Sequence, residues 1–287
     1  MPDPTPSLLI LIPAYNEAER IGPVLHEYAK HFRANYPGRF EIAVVLNGCR
    51  DNTLEVVRAA AVEFPEIKSL DFPAPIGKGG ALIEGLKLAS KADLIGYVDA
   101  DGATSPKAFL DLVRRCGEAD CVIGSRWIPG AILHVKQSRN RRVFSRIFHL
   151  LVQCLFRMNI VDTQCGAKVM RREAVQRIHS SLRIADVAFD INLLYCLKRE
   201  GFTILEEPTE WMDKAGSKIR LGKGSLGIVL SVVRLRLIYS PFHKWLRPLR
   251  PIEAWIYRRL GAPQPLPSPP RPVSPDPHSD SGLSKPR

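Results

Sequence analysis

Apolar residues occur in two kinds of block along the first 125 residues of the chain. Short continuous apolar runs are typical of buried strands, and runs with helical spacing are typical of helices packed on a sheet. Strands are predicted at residues 8–12, 41–46, 67–72, 94–98 and 119–123. Helices are predicted between them at residues 21–32, 53–64, 78–89 and 106–116. This alternation predicts an α/β fold with a mostly parallel, Rossmann-like central sheet, helices on both faces, and ligands beyond the carboxyl ends of the strands.

The second half of the chain combines apolar periodicity with many basic residues. Helices are predicted at residues 138–157, 187–199 and 225–239, and a strand at residues 203–206. The first of these helices has a predicted apolar stripe, interleaved with arginines, of Val143, Phe144, Ile147, Leu151 and Leu155. Two interpretations remain open: the stripe lies on lipid, or it packs on the protein's own core.

Composition divides the chain into three predicted segments. Residues 1–223 carry the α/β pattern and form the predicted folded domain. Residues 224–260 are predicted to be basic amphipathic helices that associate with a membrane surface. Nine of the last 26 residues are Pro, so residues 261–287 are predicted to be a disordered tail.

The charge of the chain narrows the choice of partners. Lys and Arg total 41 against 29 Asp and Glu, which gives a net charge of +12. Residues 131–161 contain six basic residues and no acidic residue, and residues 214–259 contain eleven and one. Such a basic zone predicts an anionic partner: a nucleic acid, a phosphorylated small molecule or a membrane surface. No apolar run reaches 18 residues, so no membrane-spanning helix is predicted.

The six cysteines indicate the compartment. They form no CxxC pair, and no histidine lies at metal-ligand spacing from them. That pattern favours free thiols in a reducing environment over a disulfide framework. The chain is therefore predicted to be cytoplasmic, and its basic zone predicts peripheral association with a membrane.

The sharpest local motif is a pair of carboxylates two residues apart. Asp99 and Asp101 directly follow a predicted apolar strand, and Gly102 follows them. At this spacing both carboxylates can lie on one side of the chain and share one hard cation such as Mg²⁺, which leaves positions for substrate phosphates. The alternative is a turn or helix cap with two solvated aspartates.

Two further motifs follow other predicted strands. The segment Pro13-Ala14-Tyr15-Asn16-Glu17 comes after the first strand, where an ordinary strand-to-helix loop is the alternative interpretation. The segment Gly77-Lys78-Gly79-Gly80 is not a Walker A loop. Its glycines fit a loop that enters a helix, and Lys78 is a candidate phosphate contact.

Taken together in this order, these motifs resemble glycosyltransferase family 2, whose members bind nucleotide sugars in a GT-A fold. Within that family the chain looks most like the dolichyl-phosphate (polyprenyl-phosphate) glucosyltransferase type. The resemblance covers about residues 8–220. Its further supporting residues are Gly124-Ser125-Arg126, Asp162-Thr163-Gln164-Cys165-Gly166-Ala167-Lys168, Phe189-Asp190 and Trp211.

The resemblance implies roles on the donor side of the site. The base and ribose of the nucleotide sugar would be held by Pro13, Tyr15 and Glu17. Asp99 and Asp101 would hold the sugar and, through Mg²⁺ or Mn²⁺, the diphosphate. Relatives usually have Asp-Asp-Gly-Ser after the second strand, where this chain has Leu46-Asn47-Gly48-Cys49. Asn47 is expected to offer a carbonyl acceptor to the base in place of a carboxylate.

The resemblance also implies an acceptor side and a phosphate loop. The acceptor side would be lined by Ser125, Arg126, Gln164 and Lys168. A mobile loop near the phosphates would contain Lys214, Ser217, Lys218 and Arg220. The residues expected to act directly in catalysis are Asp99, Asp101, Arg126 and Lys218.

The leading hypothesis is an inverting transferase that moves a hexose onto a polyprenyl or dolichyl phosphate at the cytoplasmic membrane face. The donor would be UDP-glucose first and GDP-mannose next, and a separate membrane protein is a further candidate partner. A lipid phosphate is already anionic near neutral pH and needs no general base. A hydroxyl acceptor is the alternative, with Asp186 or Asp190 as candidate bases. A non-catalytic relative and a nucleic-acid-binding protein are distant alternatives, and a nucleic-acid partner is not expected because its sequence signatures are missing.

Overall fold

The structure is a computed structural model that describes residues 5–134, 139–182, 184, 186, 188–212 and 223–240. At residues 139–145 and 223–228 the backbone alone is described. The strands are β1 Leu8–Ala14, β2 Phe40–Asn47, β3 Ile67–Phe72, β4 Leu94–Tyr97, β5 Cys121–Ser125, β6 Ile132–Leu133, β7 Lys168–Arg171, β8 Ile204–Pro208 and β9 Glu210–Trp211. The helices are α1 Ala18–Asn35, α2 Thr53–Glu63, α3 Gly77–Leu86, α4 Pro106–Arg115, α5 Arg139–Phe156, α6 Arg172–His179, α7 Phe189–Arg199 and α8 Lys223–Ile238, with a 3₁₀ turn at Lys87–Lys91.

The central sheet has seven strands in the order β3-β2-β1-β4-β7-β5-β8. Every pairing is parallel except the two made by β7, which runs antiparallel to both β4 and β5. Strands β6 and β9 form a separate two-stranded parallel ribbon. The predicted mostly parallel sheet is confirmed. Within this sheet β7 is the strand that the apolar pattern did not predict, and the short strands β6 and β9 were not predicted either.

Strand β1 shows why the sheet lies between two layers of helices. Its sequence is apolar at successive positions because both faces of a parallel sheet are buried. Leu9 and Leu11 join the core beneath α3, α6 and α7. Leu8 and Ile10 join the core on the other face, beneath α1, α2 and α4. The carboxyl ends of β1, β2 and β4 consequently lie at one edge between the two layers.

Helix α4 illustrates how local sequence sets the bounds of an element. Ser105 is the N-cap, and its hydroxyl accepts a hydrogen bond from the backbone N–H of Ala108. Pro106 follows at the first helical position, where a residue without an N–H costs nothing. The loop carrying the Asp99–Asp101 motif is thus bounded by β4 on one side and a firmly capped helix on the other.

Helix α5 packs on the core through only part of its apolar surface. Phe148, Val152 and Phe156 are buried, and Leu155 of the predicted stripe is partly buried against the same core. Ile147 of that stripe is 60% exposed, so the predicted stripe does not pack on the core as a whole. The reason is that α5 faces the hydrophobic core shared with α7 and α8, and that packing sets the rotation of the helix.

Helix α8 belongs to the same core. Val232 and Leu235 are fully buried in it, and the Ser231 hydroxyl donates to Oδ2 of Asp186 at 2.6 Å. The expected boundary at residue 223 therefore does not separate α8 from the folded domain. The rest of the predicted 224–260 segment, and the predicted tail at 261–287, lie outside the described residues.

Candidate active site

The carboxylate motif lies where β4 ends, at the edge of the sheet. Strand β4 stops at Tyr97, and Gly102 takes a positive φ of 68° that turns the chain away. Because β4 pairs with β1 and β1 with β2, both in parallel, the three carboxyl ends are neighbours. The two carboxylates therefore stand beside the Pro13–Glu17 loop and the turn after β2.

Lys78 brings the glycine-rich segment to the first carboxylate. Its Nζ lies 2.6 Å from Oδ1 of Asp99 and 3.9 Å from Oδ2 of Asp190. Burial alone would lower the pKa of Lys78, but the carboxylates of Asp99 and Asp190 outweigh it and raise that pKa above its ordinary value. The structure thus joins two of the predicted motifs in one ion-paired cluster.

A second, buried lysine supports this cluster from beneath. Nζ of Lys168 donates to Oδ1 of Asp190 and to the carbonyl of Cys165, both at 2.6 Å, and the Tyr97 hydroxyl donates to the same Asp190 oxygen at 2.5 Å. Burial would raise the pKa of Asp190, but Lys168 and Lys78 hold it below its ordinary value. Lys168 was expected to line the acceptor side, but its side chain is 0% exposed. It reaches the site only through Asp190.

Asp101 is the carboxylate best placed for a cation. Its Oδ1 accepts a hydrogen bond from the Ala103 N–H at 3.0 Å, which fixes the side chain in the turn. Burial and the nearby Asp99 carboxylate raise the pKa of Asp101 above its ordinary value, and a cation would relieve both effects. In the described part of the chain no group of three His, Cys, Asp or Glu could hold a metal. A pair of hard carboxylates nevertheless fits Mg²⁺ or Mn²⁺ completed by substrate oxygens.

Gly166 packs directly against Asp99. A Cβ at this position would lie 2.1 Å from Oδ2 of Asp99 and 2.6 Å from its Cγ. The segment that leads into β7 therefore forms a wall beside the first carboxylate, and only a glycine leaves room for it.

We expect Gly166→Ala to lower kcat/KM for sugar transfer by about a hundredfold, because the methyl group would displace Asp99, and a misplacement of about 1 Å costs roughly that much. Steady-state kinetics and the melting temperature together check this. Gly22→Ala on α1 is the control, since its methyl group would meet only the Val56 side chain, at 3.2 Å. A Gly166→Ala enzyme with unchanged kinetics would contradict the expectation.

Arg126 and Asp162 form a second ion pair, after β5. Nε and the second guanidinium nitrogen of Arg126 donate to the two oxygens of Asp162 at 2.7 and 2.9 Å, and the Arg126 backbone N–H donates to the same carboxylate at 2.9 Å. Burial alone would lower the pKa of Arg126, but Asp162 raises it above its ordinary value. The guanidinium carbon lies 4.8 Å from the centre of the Trp211 ring. Arg126 is therefore held as a permanently charged, oriented cation.

Three buried polar atoms near Arg126 have no hydrogen-bond partner in the described part of the chain: Ser125 Oγ, Thr209 Oγ1 and Trp211 Nε1. The Thr209 backbone N–H donates to the Ser125 carbonyl, which brings these two residues together. Ser125 was expected on the acceptor side, and it is fully buried. Gln164, expected on the same side, is partly exposed.

The loop after β1 is tied to the neighbouring chain by side-chain hydrogen bonds. Asn16 has a positive φ of 52°, and its Oδ1 accepts a hydrogen bond from the Arg50 N–H at 2.8 Å. Glu17 binds the Arg20 guanidinium through two hydrogen bonds of 2.7 and 2.8 Å. Pro13 is partly exposed and Tyr15 is exposed, so both can reach a ligand from this loop.

Asn47 makes a structural contact that the sequence did not predict. It is buried, and its Oδ1 accepts the Ile76 N–H at 2.6 Å. This hydrogen bond joins β2 to the residue before α3, and it takes up one of the two lone pairs of the oxygen that was expected to contact the base. The expected loop residues Lys214, Ser217, Lys218 and Arg220 lie outside the described residues.

Sequence reasoning assigned no role in the site to three supporting residues, Tyr97, Asp162 and Gly166. Tyr97 and Asp162 bind site residues that are 93 and 36 positions away along the chain, and Gly166 abuts Asp99 from the segment before β7. Only the sheet order reveals these pairings, because β7 inserts between β4 and β5.

Solved structures define the class of the fold. Glucosyl-3-phosphoglycerate synthase from Mycobacterium tuberculosis, in complex with UDP, matches with a TM-score of 0.59 at 18% identity over 82% of each chain. Mannosyl-3-phosphoglycerate synthase from Rubrobacter xylanophilus matches with a TM-score of 0.53 at 19% identity, over 81% of this chain and 74% of that one. The chain has the GT-A fold, with its carboxylates at the carboxyl ends of the strands.

Sequence comparison gives the family. The model of Glycosyl transferase family 2 matches residues 9–178. Dolichyl-phosphate beta-glucosyltransferase ALG5C of Trichomonas vaginalis is 31% identical over 80% of this chain and 70% of that protein, and the Homo sapiens dolichyl-phosphate beta-glucosyltransferase is 32% identical over 75% and 70%. Glycosyltransferase AglD of Haloferax volcanii is 32% identical over 78% of this chain. The matched region covers 36% of the length of that longer protein. The chain belongs to glycosyltransferase family 2 and is a glycosyltransferase.

Proposed function

We propose that this enzyme transfers a hexose from a nucleotide sugar to a polyprenyl or dolichyl phosphate. UDP-glucose is the first candidate donor and GDP-mannose the next. The observation that carries the proposal is that both candidate bases for a hydroxyl acceptor, Asp190 and Asp186, are already committed to other partners within the protein. The dolichyl-phosphate glucosyltransferase relatives support the same acceptor.

Asp190 and Asp186 are those two carboxylates. Oδ1 of Asp190 accepts hydrogen bonds from Lys168 and Tyr97, and Oδ2 lies 3.9 Å from the Lys78 ammonium, so the carboxylate is held between two cations. Asp186 accepts from the Ala188 N–H at 2.8 Å and from the Ser231 hydroxyl at 2.6 Å. An acceptor phosphate, with a second pKa of about 6, supplies its own anionic nucleophile and needs neither carboxylate.

The donor would lie over the carboxyl ends of β1 and β4. Tyr15 and Glu17 stand on the base and ribose side, and Asp99 and Asp101 on the side of the sugar and diphosphate. Mg²⁺ or Mn²⁺, when bound by these carboxylates, would neutralise charge on the leaving diphosphate. Structures of the M. tuberculosis synthase contain Mn²⁺ or Mg²⁺ together with UDP.

The reaction would be one in-line displacement that inverts the anomeric carbon. An oxygen of the acceptor phosphate forms the new bond to that carbon, and the bond to the donor diphosphate breaks. The diphosphate leaves with the electron pair, so no proton has to move. Lys78 and Arg126 would offset the negative charge on the two phosphate-bearing partners.

An apolar surface supports a lipid acceptor at a membrane. Ile147 and Leu150 on α5 and Val233 and Leu237 on α8 are exposed, and Arg146, next to Ile147 in α5, is exposed as well. Exposed apolar side chains accompanied by basic residues are typical of a helix surface that rests on anionic lipid. Among the described residues no helix is long and apolar enough to cross a bilayer.

We expect the full-length chain to convert radiolabelled UDP-glucose into a chloroform-soluble product when polyprenyl phosphate is supplied in anionic vesicles with Mg²⁺. EDTA is expected to abolish the product, because the diphosphate leaving group loses its cation. Parallel reactions contain GDP-mannose as donor or unphosphorylated polyprenol as acceptor.

The polyprenol reaction is the matched control for the phosphate. Equal product from polyprenol would favour the hydroxyl alternative and overturn the proposed acceptor. Failure of every donor with polyprenyl phosphate would overturn the proposed reaction.

A further inference from the structure

The ammonium group of Lys78 forms an ion pair with Asp99, the first carboxylate of the Asp99–Asp101 motif. Its Nζ is 2.6 Å from Oδ1 of Asp99. The other oxygen, Oδ2, is pressed against the backbone at Gly166. A second cation at Asp99 would therefore share the carboxylate with the Lys78 ammonium or displace that ammonium.

Lys78 is held by fewer close contacts than the other lysine in the cluster. Lys168 is fully buried, and its Nζ makes two hydrogen bonds of 2.6 Å, to Asp190 and to the Cys165 carbonyl. Lys78 is partly exposed, makes one short contact and follows Gly77 at the start of α3. A flexible four-carbon stem lets its ammonium exchange one anionic partner for another.

The charges of the cluster show when that exchange is favourable. The cluster contains three carboxylates, those of Asp99, Asp101 and Asp190. It contains two ammonium groups, those of Lys78 and Lys168. Its net charge is therefore one negative charge. A divalent cation entering alone would leave an excess positive charge beside Lys78 and would be repelled by it. The two negative charges of a donor diphosphate entering with the cation return the cluster to one net negative charge, and the diphosphate offers Lys78 a new anion.

We propose that Lys78 is an internal counter-cation of Asp99 that couples metal binding to nucleotide binding. It opposes a divalent cation while the nucleotide is absent, and it moves to the diphosphate when the donor enters. This inference rests on the proposed function, since its ligand is a nucleoside diphosphate. The direction of each effect follows. In the absence of nucleotide, Lys78 lowers the affinity for the divalent cation. It also increases the factor by which the cation and the nucleotide raise each other's affinity.

Mn²⁺ titrations of the full-length protein, followed by electron paramagnetic resonance with and without UDP, test this coupling without any acceptor. For Lys78→Met we expect Mn²⁺ to bind about tenfold more tightly than to wild type when UDP is absent, and the effect of UDP on Mn²⁺ affinity to shrink by a similar factor. Lys78→Arg keeps the positive charge and is expected to behave like wild type. Lys87→Met is the matched control, because it removes an ion pair of the same 2.6 Å length, to Glu84.

The outcomes separate this inference from the proposed function. If Lys78→Met binds Mn²⁺ without UDP no more tightly than wild type does, the counter-cation role is refuted. If wild type binds Mn²⁺ neither alone nor with UDP, the proposed metal-dependent donor site itself fails. Should Lys78→Met not fold, Lys78→Gln provides the same neutral replacement with a polar side chain.

Discussion

Asp101→Asn is expected to reduce kcat/KM for sugar transfer by about a thousandfold, at the upper end of what one electrostatic group contributes to a transition state. The amide oxygen can still accept the Ala103 N–H that fixes the side chain, so the turn after β4 is kept. The substitution removes only the negative charge that would hold a cation against the diphosphate. Steady-state kinetics at saturating Mg²⁺ measure the loss, and a thermal melt checks that the fold is intact.

Asp111→Asn on α4 is the matched control for this prediction. Asp111 is also paired with basic residues, Lys107 and Arg114, but on an exposed helix surface. We expect this variant to keep the activity of wild type. Activity in Asp101→Asn within a few-fold of wild type would show that the second carboxylate of the motif does not serve the reaction.

The layered fold was predictable because its signal is local. Each buried strand of a parallel sheet is a continuous apolar run, and each covering helix repeats apolar residues every three to four positions. The edge where ligands bind follows from strand direction alone. The motifs at Pro13, Lys78 and Asp99 could therefore be placed on one edge before the structure was available.

Strand β7 was not predictable in the same way. Its sequence, Lys168 to Arg171, contains two basic residues in four and lacks the apolar run of a buried strand. It becomes a strand because β4 and β5 offer hydrogen bonds on both sides. This insertion buries Lys168 beside Tyr97 and places Gly166 against Asp99, so the support of the site depends on contacts between distant parts of the chain.

Asn47 and the α5 stripe show a second limit of pattern reasoning. A polar residue after a strand suggests a ligand contact, but the Oδ1 of Asn47 accepts a hydrogen bond from the Ile76 N–H, just before α3. On α5, apolar residues occupy more of the helix surface than the core can cover, and tertiary packing selects Phe148 and Val152 over Ile147. In the first case a backbone N–H needs an acceptor, and in the second the core selects the buried face of the helix. The function of the side chain is therefore set by a distant part of the fold in both cases.

The buried pair of Lys168 and Asp190 leads to the largest expected effect on stability. We expect Lys168→Met to lower the free energy of unfolding by about 3–5 kcal/mol, because it leaves the Asp190 carboxylate buried without its closest cation. Urea unfolding at neutral pH measures this loss. Lys87→Met breaks an ion pair of equal length, but Lys87 is 55% exposed, so it is expected to cost less than about 1 kcal/mol.

The double variant Lys168→Met/Asp190→Asn distinguishes two causes of the instability: a buried Asp190 carboxylate left without a cation, and the loss of packing by the Lys168 side chain. With both charges removed, we expect most of the stability to return, because burial no longer penalises an ionised group.

The pH dependence of the wild-type stability has a definite sign. In wild type the pKa of Asp190 is held below its ordinary value, so its contribution to stability is present above that ordinary range and is lost as the pH falls through the lowered pKa.

In Lys168→Met the pKa of Asp190 is expected to rise relative to wild type, since burial remains and the nearest cation is gone. The stability difference between the variant and wild type is then expected to narrow as the pH falls and the carboxyl group is protonated. A difference that stays constant from pH 8 down through the ordinary pKa range of a carboxyl group in the single variant, or a double variant as unstable as the single one, would mean that Lys168 acts by packing alone. Asp190 would then not depend on Lys168 for its charge, and the support proposed for Lys78 and Asp99 would have to come from elsewhere in the cluster.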